Sequence, residues 1–172
     1  MQLFFLRHGR AVEPDVWRGA EADRPLTPEG LDEMRQVARG LKWLGVLPDA
    51  IYTSPYARAR QTAEIVADAL GVSSTPVDAL EPGCDLARMA AVLSGGSDAG
   101  LLNSVMMVGH EPDLSTLVGL LIGWHGPARV DMKKASCARV DIALKRISPR
   151  TLAGRGTLAW LLRAKQLSGL GA

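Results

Sequence analysis

Two histidines and two arginines have the residue types and the spacing for chemistry on an anionic group. Arg7 and His8 directly follow a short apolar run at the start of the chain, and Gly109 and His110 follow another. Arg58 falls in the first turn of a helix that is expected after a third apolar run. Arginine offers planar, bidentate donors that match phosphate oxygens. A neutral imidazole can attack phosphorus and form a covalent phosphoenzyme, so this set predicts phosphoryl transfer.

Three short apolar runs would bring these side chains together. Leu3 to Leu6, Ala50 to Tyr52 and Val105 to Val108 are typical of buried parallel strands. In open α/β sheets, the ligand site lies just outside the carboxyl ends of the strands. Because each run ends next to one of the polar blocks, we expect them to meet at one edge of the sheet. Gly9 would let backbone or ligand approach closely there.

Helix signals alternate with these strands. Thr27, Pro28 and Glu29 provide a cap, a first-turn proline and a first-turn acid, which predict a helix that ends near Gly45. The same cap-then-proline logic at Thr53-Ser54-Pro55 predicts a second helix, which ends at Gly71. Alternating side chains favour a half-exposed strand over residues 138–144, and residues 157–162 favour a strand as well.

The order of these segments predicts the fold class. We expect a three-layer α/β/α sandwich with a mostly parallel central sheet. At 172 residues, the chain is long enough for one domain, over residues 1–172, with a substantial core. A hydrophobic content of 47% with 22% charged residues is ordinary for a globular protein.

Composition narrows the function classes. The net charge of +2 is too small to indicate binding to nucleic acid or to an anionic membrane. Cys84 and Cys137 form no CxxC motif, so neither a disulfide framework nor a metal site is indicated, and both are expected to be buried. The sequence shows neither a signal peptide nor the roughly 20 apolar residues of a membrane span. We therefore expect a cytoplasmic enzyme or binding domain, and a monomer.

Three separated blocks of the sequence resemble the histidine phosphatase superfamily, which has the phosphoglycerate mutase-like fold. The blocks stand in the family's order and are Leu6-Arg7-His8-Gly9, Ser54-Pro55-Tyr56-Ala57-Arg58-Ala59-Arg60-Gln61-Thr62-Ala63 and Val108-Gly109-His110-Glu111-Pro112. The stretch from Asp23 to Gly30 also resembles the family's Arg-Pro-Leu-Thr-x-x-Gly segment. Together these matches extend over roughly the first two-thirds of the chain.

The resemblance implies a role for each residue of the set. His8 would be the nucleophile, with its second ring nitrogen donating to nearby backbone, which fixes the tautomer. Arg7, Arg58 and His110 would complete the phosphate pocket. Water would then hydrolyse the phosphorylated His8, and the reaction would need neither a metal ion nor a cofactor.

One departure from the family pattern bears on the substrate. Larger members carry a Leu-x-Glu motif whose acid protonates an alkoxide leaving group, whereas this sequence reads Leu80-Glu81-Pro82. Small SixA-type phosphohistidine phosphatases depart in the same way, and the sequence resembles them most in size and in Val-Gly-His-Glu-Pro. A phosphoramidate nitrogen leaves more readily than an alkoxide, so it needs less general-acid help. The short stretch between Leu80 and Val105 also leaves no room for a large lid insertion.

These observations predict a phosphatase that acts on a phosphohistidine of a partner protein. One alternative is a phosphomonoesterase of a small metabolite on the same fold, with Glu81 as its general acid. Another is a non-catalytic module that binds phosphoproteins. A mutase is disfavoured, because it needs an enclosed pocket that keeps water from the intermediate.

Several other polar residues have simpler interpretations. Arg18 and Arg60 are expected to be solvated, and His125 is expected to be a surface residue. Lys133 and Lys134 fit two interpretations equally, as solvated charges or as a basic rim that attracts an acidic protein partner. The segment from Ser94 to Gly100 is rich in serine and glycine and predicts a mobile loop. The tryptophan and methionine residues are expected to pack in the core.

Overall fold

The computed structural model describes residues 1–95, 102–124, 130–143 and 147–171. His125, Leu144 and most of the Ser94–Gly100 segment lie outside these ranges, so the predictions made for them stay predictions. The described residues contain one six-stranded sheet. Its strands are β1 (Gln2–Arg7), β2 (Ala50–Thr53), β3 (Ser74–Pro76), β4 (Ser104–Gly109), β5 (Cys137–Ile142) and β6 (Gly156–Leu162).

The strands lie in the order β3-β2-β4-β1-β5-β6. The first four are parallel to one another, since β2 pairs in parallel with β3 and β4, and β4 pairs in parallel with β1. The last two strands are antiparallel, β5 against β1 and β6 against β5. The predicted strands at residues 138–144 and 157–162 therefore form an antiparallel edge beside the parallel part of the sheet.

Helices cover both faces of this sheet, which confirms the predicted α/β/α sandwich. They are α1 (Pro28–Trp43), α2 (Ala57–Leu70), α3 (Leu86–Gly95), α4 (Asp113–Leu121), α5 (Pro149–Leu152) and α6 (Ala164–Leu170). Two 3-10 helices, Glu21–Asp23 and Asp78–Leu80, interrupt the loops. Among the described residues, no helix has both the length and the apolar character to cross a membrane.

The apolar side chains of β1 divide the core into two halves. Phe4 and Leu6 pack on one face of the sheet against α1, α2 and α6. Leu3 and Phe5 alternate with them and pack on the other face against α3, α4 and α5. Each fully buried side chain of this size contributes about 1.5–3 kcal/mol to the free energy of unfolding. The first strand is thus held from both sides, which fixes the position of its carboxyl end.

The two predicted helix starts have different outcomes. The Oγ1 atom of Thr27 accepts a hydrogen bond of 3.0 Å from the backbone N–H of Gly30, so the predicted cap of α1 is confirmed. The prediction for α2 is wrong, because this helix begins at Ala57 and Tyr56 provides no side-chain cap. Ser54 lies before the helix; its Oγ atom accepts a hydrogen bond of 3.3 Å from the backbone N–H of Tyr56 and also contacts a histidine side chain. Gly71, with a φ of 73°, ends α2 as predicted.

Methionines are buried in the core, whereas the tryptophans differ: Trp160 packs against the core, with its ring centroid 5.9 Å from that of Phe4, as predicted. Met34, Met106 and Met107 are fully buried. Trp43 is 66% exposed and Trp124 is 39% exposed, so the prediction that tryptophans pack in the core is wrong for both. Flexible methionine side chains fill irregular gaps, whereas an indole needs a large cavity and a partner for its N–H. Both cysteines are free and buried, as predicted.

The stretch between β3 and β4 bears on the predicted absence of a large lid. Its described part contains α3, whose Met89, Ala90 and Leu93 are buried in the core. The helix therefore covers one face of the sheet. Among the described residues, this stretch holds no helix that covers the edge where β1, β2 and β4 end.

Candidate active site

Strand register brings the two predicted histidines together. Arg7 is the register partner of Gly109, and the backbone N–H of His8 donates to the carbonyl oxygen of Gly109 over 3.1 Å. His8 and His110 therefore leave the sheet side by side at the carboxyl ends of β1 and β4. Their ring centroids lie 5.2 Å apart, with the ring planes tilted by 55°.

His8 is held as a neutral imidazole in one tautomer. Its Nδ1 atom lies 2.8 Å from the carbonyl oxygen of Gly9, and because a carbonyl only accepts, Nδ1 carries the proton. Burial lowers the pKa of His8 to about 3, and the positive charges of Arg58 and Arg7 act in the same direction. At neutral pH, Nε2 is therefore unprotonated and keeps its lone pair.

Gly9 is required by close packing rather than by an unusual backbone angle. A Cβ atom at this position would lie 2.7 Å from Cγ of Met34, so a larger residue would push the loop away from α1. The backbone N–H of Gly9 also donates to Oγ1 of Thr62 in α2 over 3.1 Å. These contacts fix the carbonyl group that holds the His8 ring.

His110 is positioned by a residue that the sequence interpretation did not identify as part of the site. Its Nε2 atom lies 2.8 Å from Oγ of Ser54, at the carboxyl end of β2. Its Nδ1 atom is buried and has no hydrogen-bond partner among the described residues. Burial also lowers the pKa of His110 to about 4, so this imidazole is neutral as well. Tyr56 packs its ring edge-on against His110, with centroids 5.2 Å apart.

The two predicted arginines reach the same place from different elements. Arg58, in the first turn of α2, is buried, and its guanidinium lies 5.0 Å from the ring centroid of Tyr56. Arg7, at the end of β1, donates from Nη1 to the carbonyl oxygen of Met132 over 2.8 Å. The Nε atoms of both arginines are buried and have no partner in the part of the chain that the structure describes. Each arginine is thus anchored while part of its donor set is unused.

Glu21 and Arg24 form a second charged pair that contacts Arg58. Arg24 donates from Nε and Nη2 to the two carboxylate oxygens of Glu21, over 2.9 Å and 2.8 Å. Glu21 also contacts Arg58 in two ways. Its backbone carbonyl oxygen accepts a hydrogen bond of 3.0 Å from Nη1 of Arg58, and its carboxylate forms an ion pair of 3.2 Å with Nη2. The hydrogen bonds from Arg24 hold the pKa of Glu21 below its usual range. The Asp23–Gly30 segment contained a signal for Arg24, but Glu21 begins a short 3-10 helix whose sequence has no periodicity.

These groups line one open pocket of about 440 Å³. All four predicted site residues, Arg7, His8, Arg58 and His110, are among its lining residues. Its other polar lining residues are Glu13, Glu21, Arg24, Tyr56, Glu111 and Lys134. The structure therefore brings together the whole predicted set and adds three carboxylates to it.

Other candidate residues fall outside the pocket. Pro82 lines it, but the neighbouring Glu81, the candidate acid of the alternative function, does not. Arg18 is exposed and donates to the carbonyl oxygen of Asp15. Arg60 is exposed, with Glu64 as its nearest acid at 4.0 Å, so both arginines are solvated as predicted. No group of three potential metal ligands occurs within the described ranges.

The arrangement is suited to attack on a phosphorus atom. A neutral imidazole with a fixed tautomer provides a nucleophilic nitrogen, and two guanidinium groups stabilise negative charge on phosphoryl oxygens. Phosphoryl transfer depends mainly on positioning and on charge stabilisation, and both are present here. Fold and site together define an α/β enzyme of phosphoryl-transfer chemistry.

Comparison with known proteins gives the family. Residues 3–81 match the histidine phosphatase superfamily, branch 1. Phosphohistidine phosphatase SixA of Escherichia coli is 32% identical over 162 residues, which are 93% of this chain and 92% of that protein. An uncharacterised protein of Picosynechococcus is 35% identical over 155 residues, 88% of this chain and 91% of its own. The solved structure of the protein histidine phosphatase SixA complexed with tungstate superposes with a TM-score of 0.79 at 30% identity, covering 97% of this chain and 99% of the other.

The chain belongs to the histidine phosphatase superfamily. Within that superfamily it is a phosphatase, in agreement with the prediction from its three sequence blocks. Its similarity to SixA extends over nearly the whole of both chains, including the antiparallel edge that follows the matched residues 3–81.

Proposed function

We propose that the protein is a phosphohistidine phosphatase, which removes the phosphoryl group from a phosphohistidine of a partner protein. The observation that carries this proposal is the neutral His8 ring, with its Nδ1 proton held by the Gly9 carbonyl oxygen at 2.8 Å. Arg7, Arg58 and His110 line the same pocket. In this arrangement His8 is the nucleophile and the other three side chains bind the phosphoryl oxygens.

The first chemical step transfers the phosphoryl group to His8. Nε2 of His8 forms a bond to phosphorus while the bond between phosphorus and the substrate imidazole nitrogen breaks. That nitrogen keeps the electron pair of the broken bond and takes up a proton from solvent or from a pocket side chain. Arg7 and Arg58 stabilise the charge on the equatorial oxygens, a role for which a single arginine is worth ~10³–10⁵ in rate in GTPases.

The second step releases phosphate. A water molecule attacks phosphorus, the bond between phosphorus and Nε2 of His8 breaks, and inorganic phosphate leaves. His110 lines the pocket beside His8, with its Nε2 atom 2.8 Å from the Ser54 hydroxyl, and its ring helps to bind the phosphoryl oxygens. Every group used in this scheme belongs to the chain or to solvent, so we propose a metal-independent reaction.

The relatives support this choice of substrate. The Escherichia coli relative at 32% identity is a phosphohistidine phosphatase, and the SixA structure contains tungstate. Tungstate is a tetrahedral oxyanion, as phosphate is, which fits a pocket of arginine and histidine donors. The open pocket and the position of Pro82 in its lining also fit a protein side chain as substrate. Cys84 and Cys137 are free thiols, which fit the cytoplasmic location that we also propose.

A second candidate, a phosphomonoesterase of a small metabolite, is favoured by one observation. An ester needs a proton on its leaving oxygen, and the carboxyl group of Glu111 lines the pocket. Burial raises the pKa of Glu111, which favours its protonated form. Both oxygens of Glu111 already accept hydrogen bonds from Ser115 in α4, one from its hydroxyl group over 2.6 Å and one from its backbone N–H over 3.2 Å. These bonds compete with a hydrogen bond to the leaving group of an ester. We therefore rank the esterase second.

The deciding experiment measures phosphate release from a phosphohistidine-bearing protein domain beside a panel of phosphate monoesters. The His8→Ala variant is the control for chemistry at His8. We expect a strong preference for phosphohistidine, loss of activity in the variant, and an acid-labile phosphoryl group trapped on the native protein. Preference for an ester would overturn the substrate, and activity that persists in His8→Ala would overturn the nucleophile. Binding of the phosphorylated domain without phosphate release would favour the non-catalytic module.

A further inference from the structure

A groove lined by basic side chains opens directly from the active-site pocket. Five basic residues define this basic groove, Arg10, Lys133, Lys134, Arg163 and Lys165, and one acidic residue, Glu33, also lines it. Arg7 lines its inner end, and both Arg7 and Lys134 also line the active-site pocket. The groove has a volume of about 470 Å³. A ligand whose phosphoryl group lies at Arg7 would therefore extend into it.

Three separate parts of the chain supply the groove. Arg10 lies in the loop after β1, Lys133 and Lys134 precede β5, and Arg163 and Lys165 lie at the junction of β6 with α6. The chain as a whole carries a net charge of only +2. Positive charge is therefore concentrated by the fold at this place, beside the site where a phosphorylated group would bind.

Three of the basic side chains form ion pairs with carboxylates of the chain itself. Lys133 and Arg163 both lie 3.0 Å from the carboxylate of Asp131, and Lys134 lies 3.3 Å from that of Glu13. All three ion pairs are solvent-exposed, with side-chain exposures between 38% and 63%. Exposed pairs of this kind contribute little, ~0–1 kcal/mol, and are exchanged easily for other carboxylates.

Two basic side chains of the groove form no ion pair with another described residue. Within the described ranges, neither Arg10 nor Lys165 has an acidic side chain within ion-pair distance. Both are exposed to solvent. A carboxylate that enters the groove could therefore bind them without breaking an existing ion pair.

We propose that the basic groove binds an acidic segment of the substrate protein, located next to the phosphohistidine. This inference rests on the proposed function and adds the chemistry of the partner's surface to it. The long, mobile side chains suit dispersed carboxylates, whereas a dedicated phosphate site would use buried, bidentate arginines of the kind present in the active site. Lys133 and Lys134 thus belong to a basic rim, the second of their two sequence interpretations.

The far end of the groove limits the length of the ligand. Glu33, which also lines the basic groove, lies with Glu29 and Asp32 in the lining of an adjoining groove that shares Arg10 and Lys165. These carboxylates would repel a polyanion that continued past Lys165. The surface therefore favours a short acidic peptide segment over an extended nucleic acid strand.

The experiment compares substrates that differ only beside the phosphohistidine. Two phosphohistidine peptides of equal length would be used, one with Asp and Glu flanking residues and one with Asn and Gln, together with free phosphohistidine. The test variant is Lys133→Glu/Arg163→Glu/Lys165→Glu, which spares both residues shared with the active-site pocket. The matched control is Lys42→Glu/Arg150→Glu/Arg155→Glu, with the same change in net charge at exposed positions outside the groove.

We expect the native protein to prefer the acidic peptide by ~10-fold in kcat/KM, mainly through KM, because charges at an interface rim act on association. This preference should decrease as salt rises from ~50 to ~500 mM, since exposed charges are screened. The test variant should lose the preference and keep its rate on free phosphohistidine, which also shows that it is folded. The control variant should keep the preference.

Several outcomes would overturn the inference. One is that the native protein hydrolyses both peptides at equal rates. Another is that the test variant loses its activity on the two peptides to the same extent. A third is stronger inhibition by a DNA oligonucleotide than by an unphosphorylated acidic peptide. Inactivity on all phosphohistidine substrates would instead contradict the proposed function. The groove would then be tested by fluorescence anisotropy with the unphosphorylated acidic peptide. Binding that the test variant loses and the control keeps would support the groove, and absence of binding would refute it.

Discussion

Ser54 and His110 are joined by a hydrogen bond of 2.8 Å between Oγ and Nε2, although 56 residues separate them in the chain. The bond links the carboxyl ends of β2 and β4, which are neighbours in the parallel part of the sheet. When the hydroxyl donates, Nε2 accepts and the proton of His110 is placed on Nδ1. We therefore propose that Ser54 is a positioning residue, which fixes the tautomer and orientation of the His110 ring.

Replacement of Ser54 by alanine should impair catalysis more than folding. The His110 ring would lose its fixed tautomer and orientation, so we expect kcat/KM to fall ~10-fold, equivalent to about 1.4 kcal/mol. An unpartnered buried nitrogen should also lower the free energy of unfolding by ~1–3 kcal/mol. Steady-state kinetics and urea unfolding would measure both effects. Ser94→Ala, in α3, is the matched control, and equal activities of the two variants would refute a role for Ser54.

Arg58 and Arg60 lie on the same helix, α2. Substitutions at these two positions would test whether Arg58 binds the phosphoryl group. Arg58→Met removes a buried guanidinium but keeps most of the packing stem, and we expect kcat/KM to fall by ~10³ or more. The thermal midpoint should change little, because the cost of burying the charge disappears together with its contact to Glu21. Arg60→Met changes an exposed residue and should leave both quantities unchanged. Comparable losses in the two variants would contradict the assignment of Arg58.

Substitutions of two acidic residues, Glu81 and Glu111, would distinguish phosphohistidine hydrolysis from ester hydrolysis. Glu81 does not line the pocket, so Glu81→Gln should leave activity on every substrate within ~2-fold of the native value, as surface substitutions generally do. Glu111→Gln removes the carboxyl whose pKa is raised by burial. We expect it to lower hydrolysis of phosphate monoesters and to change phosphohistidine hydrolysis much less. A large loss on esters in Glu81→Gln would restore Glu81 as the acid.

The two buried histidines should make the protein less stable in acid. Burial lowers the pKa of His8 to about 3 and of His110 to about 4, whereas both titrate near 6.5 in the unfolded chain. Between these values, the unfolded state binds more protons than the native state, so the free energy of unfolding rises with pH. Each histidine adds a slope of up to ~1.4 kcal/mol per pH unit. Urea unfolding between pH 4.5 and 7.5, roughly the window that these pKa values define, would measure it.

The His8→Gln/His110→Gln variant is the control for this pH dependence. It keeps all carboxylates, including Glu21, whose lowered pKa also removes stability in acid. The difference in slope between native protein and variant therefore isolates the histidines. Between roughly pH 4.5 and 6.5, we expect the free energy of unfolding of the variant to rise less steeply with pH than that of the native protein. Above pH 7 the two slopes should match, roughly as the shifted pKa values require. Identical slopes throughout would show that neither histidine has a lower pKa in the native state than in the unfolded chain.

The sequence predicted that much of the candidate site would lie together, because its residues follow the ends of short-range patterns. The apolar run before Arg7 and His8 and the one before His110 both define strand ends, and parallel strands place those ends on one edge. The cap of α1 and the glycine that ends α2 were also predicted, since each depends on neighbouring residues only. The family blocks added Arg58, whose role a helix pattern alone does not define.

Relations between distant segments could not be predicted in this way. Glu21 contacts Arg58 across 37 residues, from a short 3-10 helix that has no hydrophobic periodicity. The start of α2 was misplaced because Ser54 can cap a helix or bind His110, and only the neighbouring strand decides between them. Likewise, alternation within β5 predicts a strand but leaves open its antiparallel pairing with β1.

The sequence by itself thus determined the chemistry: two imidazoles and two guanidiniums at the ends of buried strands, in an α/β fold. The tertiary structure alone decided the protonation state of His8, which depends on burial, and the partner of His110. It also decided the joining of Arg10, Lys133, Lys134, Arg163 and Lys165 into one basic groove. The physical reason is that strand ends and caps are specified by adjacent residues, whereas desolvation and charge clusters arise when separate segments are packed together.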